Sequence, residues 1–334
     1  MNPRERLYAA ARGNKTDRPP CICPGGMMNM MFSEIMDACG CAWPEAHSDA
    51  KVMAGLADGL YQAGGFENYG VPFCMTVEAE VLGADVNMGD KLCEPHVVIS
   101  PLASCDQWKT LKPLDLKAGR IPVVMDAIRI LKEKGNNVPV VGNVSGPVSM
   151  AGTMVDMEIL LKAMRKTPED VHGMLDFITD QLIIYGQALL DAGADAISIA
   201  EPSGTGELLG PRHFAEYTVP YVNKVLDALD TPAKIVHICG RLSSVFKELD
   251  AFHCDIFSFD SLVSAKDIKP YIPGKALMGN ISTSALATMD AEHIIKMTNH
   301  AVKSGVNVIA PACGIGTTTP LADVQAMVEA SKTV

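Results

Sequence analysis

Residues 234–239 read KIVHIC and residues 255–260 read DIFSFD, and between them residues 242–252 (LSSVFKELDAF) place apolar side chains at helical spacing. A short β-branched run with a polar end, an amphipathic stretch of helix length and a second such run make a β–α–β unit, which requires parallel strands joined by a crossover. The unit recurs in both directions. Upstream lie the runs 138–143 (VPVVGN) and 196–201 (AISIAE), and downstream 275–280 (KALMGN) and 306–311 (VNVIAP). Helical periodicity separates them over residues 170–192, 212–229, 291–304 and 321–331. Six strands are explicit. The N-terminal third supplies two more, predicted at 20–24 (PCICP) and 73–77 (FCMTV). Eight strands alternating with helices predict an α/β fold of the (β/α)8, or TIM-barrel, type. An open doubly wound sheet is the alternative, but no Gly-x-Gly-x-x-Gly turn follows the first strand to favour it. No Ser/Gly linker or low-complexity tract divides the chain, so residues 1–334 read as one domain with an elaborated loop and helix region over about 1–120.

Composition narrows the class of function. A formal net charge of −11 argues against nucleic-acid and anionic-membrane partners, because both require a basic face. No run reaches the apolar length of a membrane span, and the charged N-terminus lacks a signal peptide's apolar core, so the expected location is the cytoplasm. Ten cysteines in such a setting point to metal binding, catalysis or burial rather than disulfides. With 19 methionines, they suggest an anaerobic or strongly reducing environment.

A barrel carries its chemistry at the C-terminal ends of its strands. The polar residues at those ends are Asn143, Ser145, Glu201, His237, Cys239, Asp260, Asn280, Ser282 and Cys313. His237 and Cys239 are two apart on one strand and so share a face. Cys313 follows the presumed last strand, which opens onto the same mouth. One imidazole and two thiolates suit Zn²⁺, and three protein ligands with an open fourth position is the catalytic pattern. Cys21 and Cys23, on the presumed first strand, could also reach the mouth; the other six cysteines read as core or surface thiols.

Several stretches resemble one family: 237–240 (HICG), 310–315 (APACGI), 319–321 (TPL) with 324–330, 65–74 (GFENYGVPFC) running into Glu78-Ala79-Glu80, 142–147 and 195–202. They are similar to the methylcobamide:coenzyme M methyltransferases of the uroporphyrinogen decarboxylase superfamily. The resemblance implies an enzyme that moves a methyl group from methylcobamide, carried on a partner corrinoid-binding protein, to a small thiol acceptor such as coenzyme M. It implies Zn²⁺ held by His237, Cys239 and Cys313, with Asp260 as a fourth ligand while no thiol is bound. Glu201 is a candidate for orienting His237, Asn143 and Asn280 are candidates for contacting substrate, and Glu67, Asn68, Glu78 and Glu80 for lining the docking face. A first-step enzyme that demethylates a small methyl donor onto the corrinoid is the alternative. A porphyrinogen decarboxylase is a further alternative, disfavoured because residues 23–31 (CPGGMMNMM) hold no cation for a substrate's carboxylates.

Overall fold

The computed structural model describes residues 1–25 and 30–333. Its centre is a curled, all-parallel sheet of seven strands: β1 (Tyr69–Val71), β4 (Val140–Ser145), β5 (Ala196–Ala200), β6 (Lys234–Ile238), β7 (Ile256–Phe259), β8 (Ala276–Ile281) and β9 (Val308–Pro311), adjacent in that order. Two further strands, β2 (Asp85–Asn87) and β3 (His96–Ile99), pair antiparallel in a separate hairpin after β1. Every residue of β4, β5, β7 and β9 is buried, as expected where helices cover one face and the barrel interior the other.

The eighth position of the ring is filled by the segment predicted as the first strand. Cys21 pairs parallel with Ile309 of β9, through Ile22 N–H to the Ile309 carbonyl (2.9 Å) and Ile309 N–H to the Pro20 carbonyl (2.8 Å). On its other side Glu67 N–H donates to the Cys21 carbonyl (2.9 Å), and the Asn68 side chain bonds both the N–H and the carbonyl of Cys23. The Asn68 amide thus replaces a ladder rung. Seven strands and this short stave make a TIM-barrel-like α/β fold.

The second strand falls earlier than predicted. It is β1, Tyr69–Val71, whereas Val77–Val81 is helical. Pro72 has no N–H to offer a ladder, so pairing stops before the apolar run at 73–77 begins. Gly70 sits at the strand's centre because a Cβ there would lie 1.6 Å from the Pro24 carbonyl oxygen, the point where the first stave crosses. The crossover between β6 and β7 also differs, running as 3₁₀ turns over Ser243–Ala251. The predicted helix at 212–229 is split into Gly206–His213, a π turn Phe214–Thr218 and Val219–Ala228, with Pro211 and Pro220 interrupting the ladder.

The floor of the barrel is closed by the N-terminal helix Pro3–Ala11. Arg6 and Arg18 both converge on Glu67, which also accepts from Cys21 N–H (3.0 Å). Glu67 and Asn68 precede β1, so they belong to this floor and not to the docking face expected for them. Glu78 is buried and accepts from Ser145 N–H (2.9 Å), and Glu80 pairs with Arg120 (2.7 Å). Both brace the loops above β1 and β4. No helix among the described residues is long and apolar enough to cross a membrane.

Candidate metal centre

β6 delivers the first two side chains. In register, His237 lies opposite Ala200 of β5 and Ser258 of β7, on the face that looks into the barrel. Its ring is fully buried, with Nδ1 2.9 Å from Ser258 Oγ and Nε2 3.0 Å from Cys239 Sγ. A proton on Nδ1 donated to Ser258 leaves the Nε2 lone pair facing the sulfurs, the tautomer a metal ligand needs. Cys239 stands just beyond the strand, and Gly240 turns the chain with φ +78, a left-handed conformation that suits glycine. Thr205 Oγ1 donates to the Cys239 carbonyl (2.9 Å), and Gly240 N–H donates to Asp260 (3.1 Å), fixing that turn.

Cys313 arrives from the far side of the ring. Beyond β9, Ala312 N–H donates to the Ile281 carbonyl (2.8 Å), which swings the next residue over the mouth. Its sulfur lies 3.4 Å from Cys239 Sγ. His237, Cys239 and Cys313 thus bring three ligand atoms within 4.8 Å of one another. Tetrahedral Zn²⁺, with Zn–S of about 2.3 Å and Zn–N of about 2.0–2.1 Å, spaces its ligand atoms roughly 3.5–3.8 Å apart. The contacts of 3.0 Å and 3.4 Å stand within about half an ångström of that spacing, so these residues fit the ion.

The two thiols are electrostatically unlike. Cys313 is held well below the usual thiol range, first by the hydrogen bond from Cys239 and then by His237, while the same contact and burial push Cys239 far up. Sulfur-to-sulfur contact thus makes one thiol of the pair far easier to deprotonate than the other. Taking up a cation would release the protons that the thiols hold.

The other residues singled out from sequence take different places. Asp260 lies outside the three-atom cluster: its carboxylate accepts from Gly240 N–H, Leu262 N–H (3.0 Å) and Ser261 Oγ (3.3 Å), so its oxygens secure the loops around Cys239. Glu201 does not orient His237. It is fully buried and accepts from Val148 N–H, Ser149 N–H and Gly204 N–H, each at 2.9 Å, and from Ser149 Oγ. Two of those donors begin the helix Pro147–Met154, so Glu201 caps that helix from a neighbouring strand. Burial pushes its carboxyl up, and these donors pull it back.

Asn143 is buried within the ring, its amide donating to the carbonyls of Pro24 (2.8 Å) and Val71 (3.2 Å). Asn280 donates to the carbonyls of Asp260 (3.2 Å) and Val263 (2.8 Å). It lines a recess of about 770 Å³ beside the mouth, which none of the three clustered residues touches. Cys21 and Cys23 are buried outside the cluster, and burial raises both thiols. Of the uncharged stretch 23–31, residues 26–29 lie outside the described residues.

Two residues had no part in the reading of the sequence. Ser258 was legible in principle, two positions before Asp260 on a predicted strand, but only the register sets it against His237. Glu94 belongs to the β2–β3 hairpin, far from any motif. With Trp43, Leu92, Cys93 and the 313–317 loop it lines a cavity of about 380 Å³ that opens on Cys313. Crowding around its carboxyl and the neighbouring Cys313 thiol push Glu94 up to about 7.

Known proteins resemble this chain along its whole length. A family model described as uroporphyrinogen decarboxylase matches residues 2–334. The chain is 33% identical over 334 residues to the methylcobamide:CoM methyltransferase MtbA of Methanosarcina acetivorans, covering 99% of this chain and 97% of that one. To the methylcobamide:CoM methyltransferase MtaA of Methanosarcina barkeri it is 32% identical over 329 residues, covering 97% and 96%. A solved methyltransferase from Methanosarcina mazei superposes with a TM-score of 0.94 at 33% identity, over 100% of this chain and 99% of that one. A B12-independent methionine synthase from Shewanella, at 16% identity and a TM-score of 0.57, shares the fold alone.

Proposed function

The chain belongs to the uroporphyrinogen decarboxylase family of enzymes, and from that premise we propose that it is a zinc-dependent methyltransferase carrying a methyl group from a methylated corrinoid protein to a thiol. One observation carries the reading: among the described residues, three soft ligand atoms, from His237, Cys239 and Cys313, converge within 4.8 Å at the barrel mouth beside an open cavity. A structural zinc site would enclose the ion with four ligands. A decarboxylase that needs no metal leaves the cluster unexplained. A first-step enzyme is favoured by a carboxylate-rich set, and here Asp260 is engaged by backbone amides.

Bound Zn²⁺ would supply the positive charge that lets the acceptor's thiol lose its proton to solvent, and would hold its sulfur in place. The protein's own residues do the rest. Cys239 and Cys313 contribute two negative charges, which keep the entering sulfur electron-rich and nucleophilic. Ser258 fixes the imidazole's tautomer and plane, and the Gly240 turn with Asp260 and Thr205 fixes Cys239. The methyl group passes by in-line attack of the acceptor sulfur on the methyl carbon: the C–S bond forms as the Co–C bond breaks, and the corrinoid keeps the electron pair as Co(I). A corrinoid is too large for this mouth to enclose, so we assign it to a partner protein docked over the strand ends. We assign residues 1–334 to a single domain, because one continuous apolar core joins the N-terminal helices to the barrel.

The relatives' names make coenzyme M the first acceptor to test. With free methylcobalamin as donor, thiol-dependent demethylation should vanish on chelator dialysis and return with one equivalent of Zn²⁺. Full activity of the metal-free protein would remove the reading.

A further inference from the structure

The cavity over Cys313 carries one charged side chain, and that charge is negative. Its walls are Trp43, Leu92, Cys93, Glu94, Ile315 and the adjoining loop, and no lysine or arginine lines it. The sequence of residues 26–29 (GMMN) contains no cation. Cations in the surrounding loops lie outside the cavity lining and have acidic partners of their own. Lys91 pairs with Asp37 (2.5 Å). Arg120 is buried against Glu80, Cys74 and Thr76. Arg241 pairs with Glu207 (3.6 Å) and lines a separate recess with Phe246 and Asp267. By contrast, no hydrogen bond from another described residue engages the Glu94 carboxylate.

We propose that the acceptor is a small thiol whose far end is neutral or cationic, and that Glu94 discriminates against thiols bearing a sulfonate or carboxylate. The proposal rests on the methyl-transfer reading and narrows its acceptor. An acceptor sulfur entering beside Cys239 and Cys313 joins two thiolates already there. An anion two carbons from that sulfur would then face Glu94 across a cavity with no positive charge to offset it. Glu94 is exposed at the cavity rim, where like charges a few ångströms apart change affinity by about tenfold. An ammonium at the same place gains from Glu94, and Trp43 adds an aromatic wall that favours a cation. Leu92 and Ile315 suit the short carbon chain between.

The test uses the full-length zinc protein at pH 8, where Glu94 is ionised, with methylcobalamin as donor. Three thiols serve as acceptors: coenzyme M as the anion, cysteamine as the cation and 2-mercaptoethanol as the uncharged reference. The quantity read is kcat/KM for each, in the wild type and in Glu94→Gln, which keeps shape and removes charge. Intrinsic differences in thiol reactivity cancel when the two proteins are compared. The expected result is a wild-type preference for cysteamine over coenzyme M that shrinks about tenfold in Glu94→Gln. A cysteamine-to-coenzyme M ratio unchanged by the substitution, or a wild-type preference for coenzyme M, would overturn the proposal while leaving methyl transfer intact. Failure of all three thiols would overturn the methyl-transfer reading, and this proposal with it.

Discussion

Cys313→Ala is expected to lose bound zinc and at least about a thousandfold in methyl transfer, the several kcal/mol that metal activation of a nucleophile supplies. The two ligand atoms that remain cannot hold the ion in competition with a chelator, because tetrahedral sites in proteins take three or four. Without the ion the acceptor reverts to a free thiol with a pKa near ~8.5, only a small fraction of which is ionised at neutral pH. Cys239→Ala should behave alike, since both sulfurs belong to one cluster. Neither change threatens the fold: Cys239 and Cys313 are half-buried on loops beyond β6 and β9, outside the main apolar core. Metal analysis and circular dichroism on the same samples separate the two effects. A Cys313→Ala protein that keeps stoichiometric zinc would show that this sulfur is no ligand.

Glu201→Leu is expected to destabilise the barrel by about 3 kcal/mol or more, lowering Tm on the order of 10 °C. Leucine has similar bulk but accepts nothing, so the N–H groups of Val148, Ser149 and Gly204 would be left buried without partners, at about 1–3 kcal/mol each. Nor can the slot adapt. A Cβ on Gly146 would lie 2.4 Å from the Glu201 carboxylate, and one on Gly204 2.8 Å from its carboxyl carbon, so glycines wall it on two sides. Calorimetry checks the prediction, and zinc titration of the folded fraction distinguishes it from a role in orienting His237. A large Tm loss with unaltered zinc affinity fits the capping role; unchanged Tm with weakened zinc binding would restore the orienting one.

These two positions show what the sequence could and could not reveal. Spacing alone placed His237 and Cys239 on one strand face, and the barrel's closure put Cys313 at the same mouth, because ring topology brings strand ends together whatever their separation in the chain. The strands that repeat β-branched residues were legible for the same reason: buried parallel strands are continuous apolar runs. β1 was not, since three residues with a central glycine carry no such signal and Pro72, with no N–H to offer, ends it. Side-chain partners were hidden too. Glu201 and Asp260 both sit at strand ends, where an acid can serve a metal or a backbone amide, and only coordinates show that amides claim them. Ser258 becomes meaningful through the register of β6 against β7. Glu94 reaches Cys313 through a hairpin whose exposed, short strands follow no barrel pattern.

The central claim is that a cation held by His237, Cys239 and Cys313 accepts a substrate's sulfur. Zinc X-ray absorption tests it directly, comparing the protein alone with the protein saturated in turn by cysteamine and by coenzyme M. A shell with two sulfur neighbours should gain a third at about 2.3 Å with at least one of these thiols. A shell that neither thiol alters, or a fourth protein ligand that stays in place, would contradict the account.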